Sequence, residues 1–122
     1  SDFCSGKVQP KENSKELFIE SISVQELKIL LDTNAEEIIL LDVRSPSEYA
    51  IDSIKGSRSI PLQSIENGES IELIRKITST LQLYVYCESG QRSRKALIKL
   101  NDYNIKGKNI SGGISAWNQE NL

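Results

Sequence analysis

The chain has 122 residues, 38% hydrophobic and 26% charged, with a formal net charge of −2. That length supports one core rather than two, and the near balance of charge gives no general attraction to nucleic acid or anionic lipid. The absence of histidine, with only two cysteines, excludes Ser-His-Asp and Cys-His catalysis and a closed zinc site within the chain, so no metal is expected.

No apolar run approaches the length of a membrane span, so no membrane contact is expected. Methionine is absent, even from position 1. The start Ser1-Asp2-Phe3-Cys4 therefore suggests a piece of a longer or processed protein. Cys4 and Cys87 lie far apart with no signal peptide between the chain and a reducing compartment. Free thiols and a cytoplasmic location are the expectation.

Residues 1–19 are polar, with Lys7, Lys11, Lys15 and Pro10, and read as a linker or tail preceding one domain over 20–122. A short strand is expected near Phe18–Ile22. Ser23-Val24-Gln25-Glu26 has the spacing of a capping box, and Val24, Leu27, Leu30 and Leu31 follow at helical intervals. Glu37–Val43 is a continuous apolar run ending in Asp42-Val43, the pattern of a strand covered on both faces. Ser45-Pro46 opens a second helix with proline at its first position. Ser59-Ile60-Pro61 reads as a strand ended by proline, and Asn67-Gly68 as a turn. Ile71, Ile74, Thr78 and Leu81 form one helical stripe. A strand then spans Leu83–Tyr86, a helix carries Ala96, Leu97 and Leu100, a short strand covers Lys108–Ile110, and Gly112-Gly113 opens a last helix with Trp117. This alternation predicts an α/β domain with a mainly parallel sheet.

Ligands of such sheets sit beyond the carboxyl ends of the strands, which is where Cys87-Glu88-Ser89-Gly90-Gln91-Arg92-Ser93 falls. A thiol there meets loop amides and a helix N-terminus, both of which favour the thiolate. Gly90 permits a tight loop, and Arg92 and Arg94 add positive charge. The competing reading is a buried core cysteine. Two chemistries suit a thiolate in such a loop: phosphoryl transfer through a cysteinyl phosphate, and carriage of a sulfane sulfur as a persulfide. Four residues, 88–91, separate Cys87 from Arg92, and six, 88–93, separate it from Arg94. Cysteine-dependent phosphatases use a spacing between these two, wide enough for a tetrahedral phosphate. The smaller loop suits a single sulfur atom.

The Cys87 loop resembles the Cys-x-x-Gly-x-Arg-Ser active-site loop of the rhodanese family. Leu41-Asp42-Val43-Arg44, Glu48-Tyr49, Ile54-x-Gly56 and Ile60-Pro61 resemble that family's first signature, and Gly112-Gly113-x-x-x-Trp117 its C-terminal one. Asp52-Ser53 departs from the Gly-His usual in the first signature. The resemblance implies a central, mainly parallel five-stranded sheet flanked by helices on both faces. It implies that Cys87 carries the persulfide and that Glu88, Ser89, Gly90, Gln91 and Arg92 surround the substrate sulfur. Asp42, Arg44 and Ser93 are expected to support the loop. Arg44 is assigned to an exposed pair with Glu48 or another acid, worth little by itself. Trp117 is assigned to core packing and Cys4 to a bystander thiol.

The stretches Ser1–Gly6 and Ile60–Glu69 are similar to two-domain molybdopterin-synthase adenylyltransferase/sulfurtransferases, whose C-terminal domain is rhodanese-like. That narrower resemblance implies a sulfurtransferase drawing sulfur from a cysteine desulfurase or thiosulfate. The acceptor it implies is the adenylated C-terminus of a ubiquitin-like sulfur-carrier protein, in molybdopterin biosynthesis or tRNA thiolation. No cofactor is expected in this domain; ATP and zinc would belong to an upstream adenylyltransferase domain. A stand-alone thiosulfate sulfurtransferase, a catalytically idle binding module and a cysteine phosphatase or arsenate reductase stand as alternatives.

Overall fold

The computed structural model describes residues 17–122. Cys4 and most of the expected tail lie outside the described residues. Five strands, β1 (Ser21–Ile22), β2 (Ile38–Asp42), β3 (Arg58–Ser59), β4 (Gln82–Tyr86) and β5 (Gly107–Ile110), form one sheet in the order β1-β5-β4-β2-β3. Every strand pair is parallel, as the α/β pattern predicts. Six helices accompany them among the described residues: α1 (Val24–Thr33), α2 (Pro46–Ile51), α3 (Leu62–Glu66), α4 (Ile71–Ile77), α5 (Gln91–Asn101) and α6 (Gly113–Gln119).

The two-residue period of the strands divides the core into two layers. Leu41, Val43, Leu83, Val85 and Cys87 point to one face and pack with Ile65 of α3, Ile71 and Ile74 of α4, and Ala96, Leu97 and Leu100 of α5. Ile38, Leu40, Tyr84 and Tyr86 point to the other and pack with Val24 and Leu27 of α1 and Ile114 of α6. Apolar residues on both faces of β2 and β4 are what a sheet sandwiched between helices requires. Trp117 packs against the second layer, the role expected of it.

The helix starts expected at Ser23 and at Ser45-Pro46 are both present, and each is a capping box. The Ser23 hydroxyl accepts from the Glu26 amide and the Glu26 carboxylate accepts from the Ser23 amide; Ser45 and Glu48 repeat the arrangement with Pro46 at the first position. Three boundaries differ from expectation. The first strand is confined to Ser21–Ile22. α4 ends at Ile77, with the Thr78 hydroxyl bonded to the Ile74 carbonyl, so Leu81 lies beyond the stripe. Pro61 does not end a strand but caps α3, a single-turn helix whose Ile65 is fully buried. One turn is too short to show a helical period.

The central strand, β4, lies between β2 and β5. Its carboxyl end is therefore flanked on one side by the end of β2 and α2, and on the other by the end of β5 and α6. Cys87 is the next residue.

Candidate active site

Cys87 leaves β4 with its side chain still in the first core layer, only 1% exposed. Exposure alone would leave it a packing residue, so its chemistry rests on its polar contacts. The chain turns through Glu88 and Ser89 to Gly90, whose φ of +109° belongs to the left-handed region that favours glycine. This turn points the Gly90 amide back at Cys87 Sγ, 3.1 Å away. α5 begins at the next residue, and the Ser93 hydroxyl lies 3.4 Å from the same sulfur. Burial pushes the thiol up, but the Ser93 hydroxyl and the amides of Ser93, Gly90 and Ser89 outweigh it and hold the thiol below its usual value.

The flank toward β2 is charged. Asp42 ends β2, and Arg44 Nε and Nη2 form a forked pair with its carboxylate at 2.7–3.1 Å. Both side chains are buried, at 4% and 0% exposure. Arg44 Nη2 also donates to the Asp52 carbonyl at 2.5 Å, and the guanidinium lies 5.9 Å from the Tyr86 ring centre. Hydrogen bonding to Asp42 raises the Arg44 pKa above its ordinary value. Arg44 thus pairs with an acid as expected, but that acid is Asp42 rather than Glu48, and the expectation of an exposed pair is corrected: the pair is buried. The side-chain period of two carries this signal, because residues 42 and 44 share a face at a strand end.

Glu48 pairs instead with Arg92. Arg92 Nη1 and Nη2 meet the two Glu48 oxygens at 2.8 and 3.1 Å. The Arg92 guanidinium, helped by the Ser45 amide, holds the Glu48 carboxyl down at about 2. Positive residues at a helix N-terminus oppose the helix dipole, and Glu48 offsets this cost for Arg92. Glu88 reaches sideways, accepting from the Ser115 hydroxyl at 2.8 Å with Arg44 Nη1 3.8 Å away. Ser89 and Gln91 are exposed at the loop's rim. Asp52, at the departure from the first signature, caps the end of α2, gives its carbonyl to Arg44, and accepts from Asn118 at 3.0 Å.

The flank toward β5 is neutral. The amides of Ile114 and Ser115 in the first turn of α6 donate to the carbonyls of Cys87 (2.9 Å) and Glu88 (3.1 Å). These carbonyls are thereby turned away from the sulfur, leaving the loop's amides to face it. A Cβ on Gly113, whose φ is +57°, would collide with the same two carbonyl oxygens. The glycine pair of the C-terminal signature is thus the seat of the Cys87 loop as well as a helix start. Sequence reasoning missed Asn109 of β5. Its Oδ1 accepts from the Ser93 hydroxyl at 2.6 Å and its Nδ2 donates to the Gly90 carbonyl at 3.1 Å. An asparagine inside a strand, a type depleted there, was the available signal.

The structure thus brings Cys87, Gly90, Arg92, Ser93, Asp42 and Arg44 together at one sheet end. A thiolate stabilised by inward amides can attack a labile sulfur–sulfur bond and retain the transferred sulfur.

Comparison with known proteins agrees. Residues 23–120 match the rhodanese-like domain family. An uncharacterized 16.5 kDa protein in psaL 5'region of Synechococcus elongatus is 46% identical over 72 residues, covering 59% of this chain and 48% of that protein. The probable adenylyltransferase/sulfurtransferase MoeZ of Mycobacterium tuberculosis is 33% identical over 98 residues, covering 80% of this chain and 24% of MoeZ. The chain thus spans about half the length of the first and about a quarter of the second. Among solved structures, a rhodanese-like domain protein from Staphylococcus aureus superposes with a TM-score of 0.69 at 28% identity, covering 81% of this chain and 91% of that one.

Proposed function

Because the chain belongs to the rhodanese-like family, we propose that it is a sulfurtransferase that carries a sulfane sulfur as a persulfide on Cys87. The observation that carries this reading is the buried Cys87 sulfur held by the Gly90 amide and the Ser93 hydroxyl at the mouth of α5. In the loading step the Cys87 thiolate attacks the outer sulfur of a donor persulfide. A new sulfur–sulfur bond forms, the donor's bond breaks, and its electron pair leaves on the donor sulfur. The negative charge then sits on the terminal sulfur of Cys87, facing the amides of residues 88–92 and the N-terminus of α5.

The charge around the loop favours a donor that is not a small dianion. Arg92 is paired with Glu48 and Arg44 with Asp42, and Glu88 adds a third carboxylate. Two arginines thus face three acids, so thiosulfate gains no net attraction there. A protein-borne persulfide, as from a cysteine desulfurase, fits better. The acceptor in this reading is the adenylated C-terminus of a ubiquitin-like sulfur carrier, supported by the similarity to MoeZ, whose name pairs adenylyltransferase with sulfurtransferase. The terminal sulfur attacks the acyl carbon and adenylate leaves. Release of the carrier as a thiocarboxylate, feeding molybdopterin synthesis or tRNA thiolation, requires cleavage of the acyl disulfide by a second thiol. In this reading ATP and zinc would belong only to an adenylyltransferase domain upstream, and no cofactor is assigned to this domain. A reducing compartment such as the cytoplasm suits a free thiolate.

Mass spectrometry of the Cys87 peptide after incubation with a desulfurase and cysteine tests the assignment. One added sulfur is expected on the wild type and none on Cys87→Ala, with the same domain still folded. Equal gain in both would overturn it.

A further inference from the structure

Two polar contacts beside Cys87, sulfur to Ser93 and Ser93 to Asn109, share a single hydroxyl proton once the thiol ionises. The Asn109 side chain has its orientation fixed, because only its amide nitrogen can face the Gly90 carbonyl, 3.1 Å away. Oδ1 therefore faces Ser93, and an amide oxygen can only accept, so at 2.6 Å the Ser93 hydroxyl proton lies on this bond. The Cys87 sulfur lies 3.4 Å from the same hydroxyl. A thiol satisfies the chain, with S–H donating to Ser93 and O–H donating to Asn109. A thiolate cannot donate, so the Ser93 proton must turn to Sγ and leave Asn109 Oδ1 without it.

We propose that Asn109 is a positioning residue for sulfur transfer, accepting the Ser93 O–H hydrogen bond whenever the Cys87 sulfur carries no charge. The proposal rests on Cys87 being the sulfur carrier. Loading removes the charge from Sγ as the new sulfur–sulfur bond forms and the donor's electron pair departs on the donor sulfur, while the transferred sulfur bears the persulfide's own negative charge. Sγ then no longer needs the Ser93 proton, which returns to Asn109. The amide of Asn109 thus favours the thiol and the loaded persulfide over the naked thiolate between them. That preference draws the charge outward to the terminal sulfur, where the acceptor must meet it.

The charged groups around the sulfur stay constant in this exchange. They are Glu88 in the loop, Arg92 on α5, Glu48 on α2, and Asp42 with Arg44 at the end of β2. Farther out, Arg94 of α5 reaches the Leu17 carbonyl, and Lys108 of β5 pairs with Glu20. Asn109 bonds to none of these side chains in the structure, so its substitution changes the proton competition and the Gly90 brace alone.

The test is the pH dependence of Cys87 alkylation by iodoacetamide, read on the Cys87 peptide so that Cys4 does not contribute. Ser93→Ala should move the midpoint up, since the thiolate loses a donor. Asn109→Ala should move it down by about half a unit, roughly a threefold gain in thiolate fraction below the midpoint. In the Ser93→Ala background the same Asn109→Ala change should produce no downward shift. An upward or absent shift in the first background, or equal shifts in both, would overturn the proposal. If Asn109→Ala does not fold, the wild type decides. The Asn109 side-chain carbonyl carbon resonance should move with the Cys87 midpoint and return on persulfide loading. A resonance constant through the titration would refute the exchange. The alkylation midpoint needs no sulfur transfer, so normal midpoints with no persulfide formed would instead reject the sulfur-carrier reading.

Discussion

The two sides of the Cys87 loop are held by different physics. Toward β2 the supports are side-chain charges: Asp42 with Arg44, and Glu48 with Arg92. Toward β5 they are uncharged: the Ile114 and Ser115 amides on the Cys87 and Glu88 carbonyls, and Asn109 on Gly90 and Ser93. Amide bonds do not titrate and depend on close backbone approach. Ion pairs respond to pH, and their worth depends steeply on burial. The charged side should therefore fail by substitution of one partner or by acid, and the neutral side by added bulk.

The largest effect is expected where charge is buried. Asp42→Ala leaves the Arg44 guanidinium, 4% exposed, without its forked partner. Removing one member of a buried pair costs about 3–5 kcal/mol, a large part of the roughly 5–15 kcal/mol that holds a domain folded. Urea unfolding of Asp42→Ala should show that loss. A loss below about 1 kcal/mol would mean that water or the Asp52 carbonyl satisfies Arg44 by itself. Replacing both residues by apolar ones of similar volume should cost less than removing Asp42 alone.

The neutral side breaks through its backbone seat. Gly113→Ala puts a methyl into the Cys87 and Glu88 carbonyls and strains a left-handed residue. Overpacking of this kind costs about 1–3 kcal/mol. Because the displaced atoms belong to the loop itself, persulfide loading on Cys87 should fall further than stability. Loading kinetics and a melting curve on the same variant separate the two. Unchanged loading in a destabilised protein would show that the loop keeps its shape without α6.

How much of this was legible in the chain follows from range. The Cys87 loop was legible because its geometry is covalent: four residues between Cys87 and Arg92, with Gly90 at the turn, fix its size. The strands and caps were legible because alternation and capping boxes are local. Glu48 or another acid is all that the sequence offers Arg44 as a partner; the face-sharing of residues 42 and 44 points to Asp42, and only the assembled fold shows that the pair is buried. The Glu48–Arg92 pair spans 44 positions and only β2 lying beside β4 creates it. Asn109 was missed for the same reason: its partners, 16 and 19 positions away, meet only once β5 pairs with β4. α3 was missed because five residues carry no helical period.

The smallest effect sharpens the contrast within the charged side. The Glu48 and Arg92 side chains are 35% and 38% exposed, so solvent screens the pair to about 0.2–1 kcal/mol. Glu48→Gln should therefore cost much less than Asp42→Ala at pH 7. The pH course gives the pair its signature. Glu48 has its pKa lowered in the folded state from 4.5 to about 2, so it binds its proton more weakly folded than unfolded. Its stabilisation is present in full above about 4.5 and fades as pH falls toward about 2. The stability difference between wild type and Glu48→Gln should accordingly be constant from pH 7 to 5 and shrink below that. A difference independent of pH down to 3 would mean that the Glu48 carboxyl has the same pKa folded and unfolded, so that neither Arg92 nor the Ser45 amide favours its charged form.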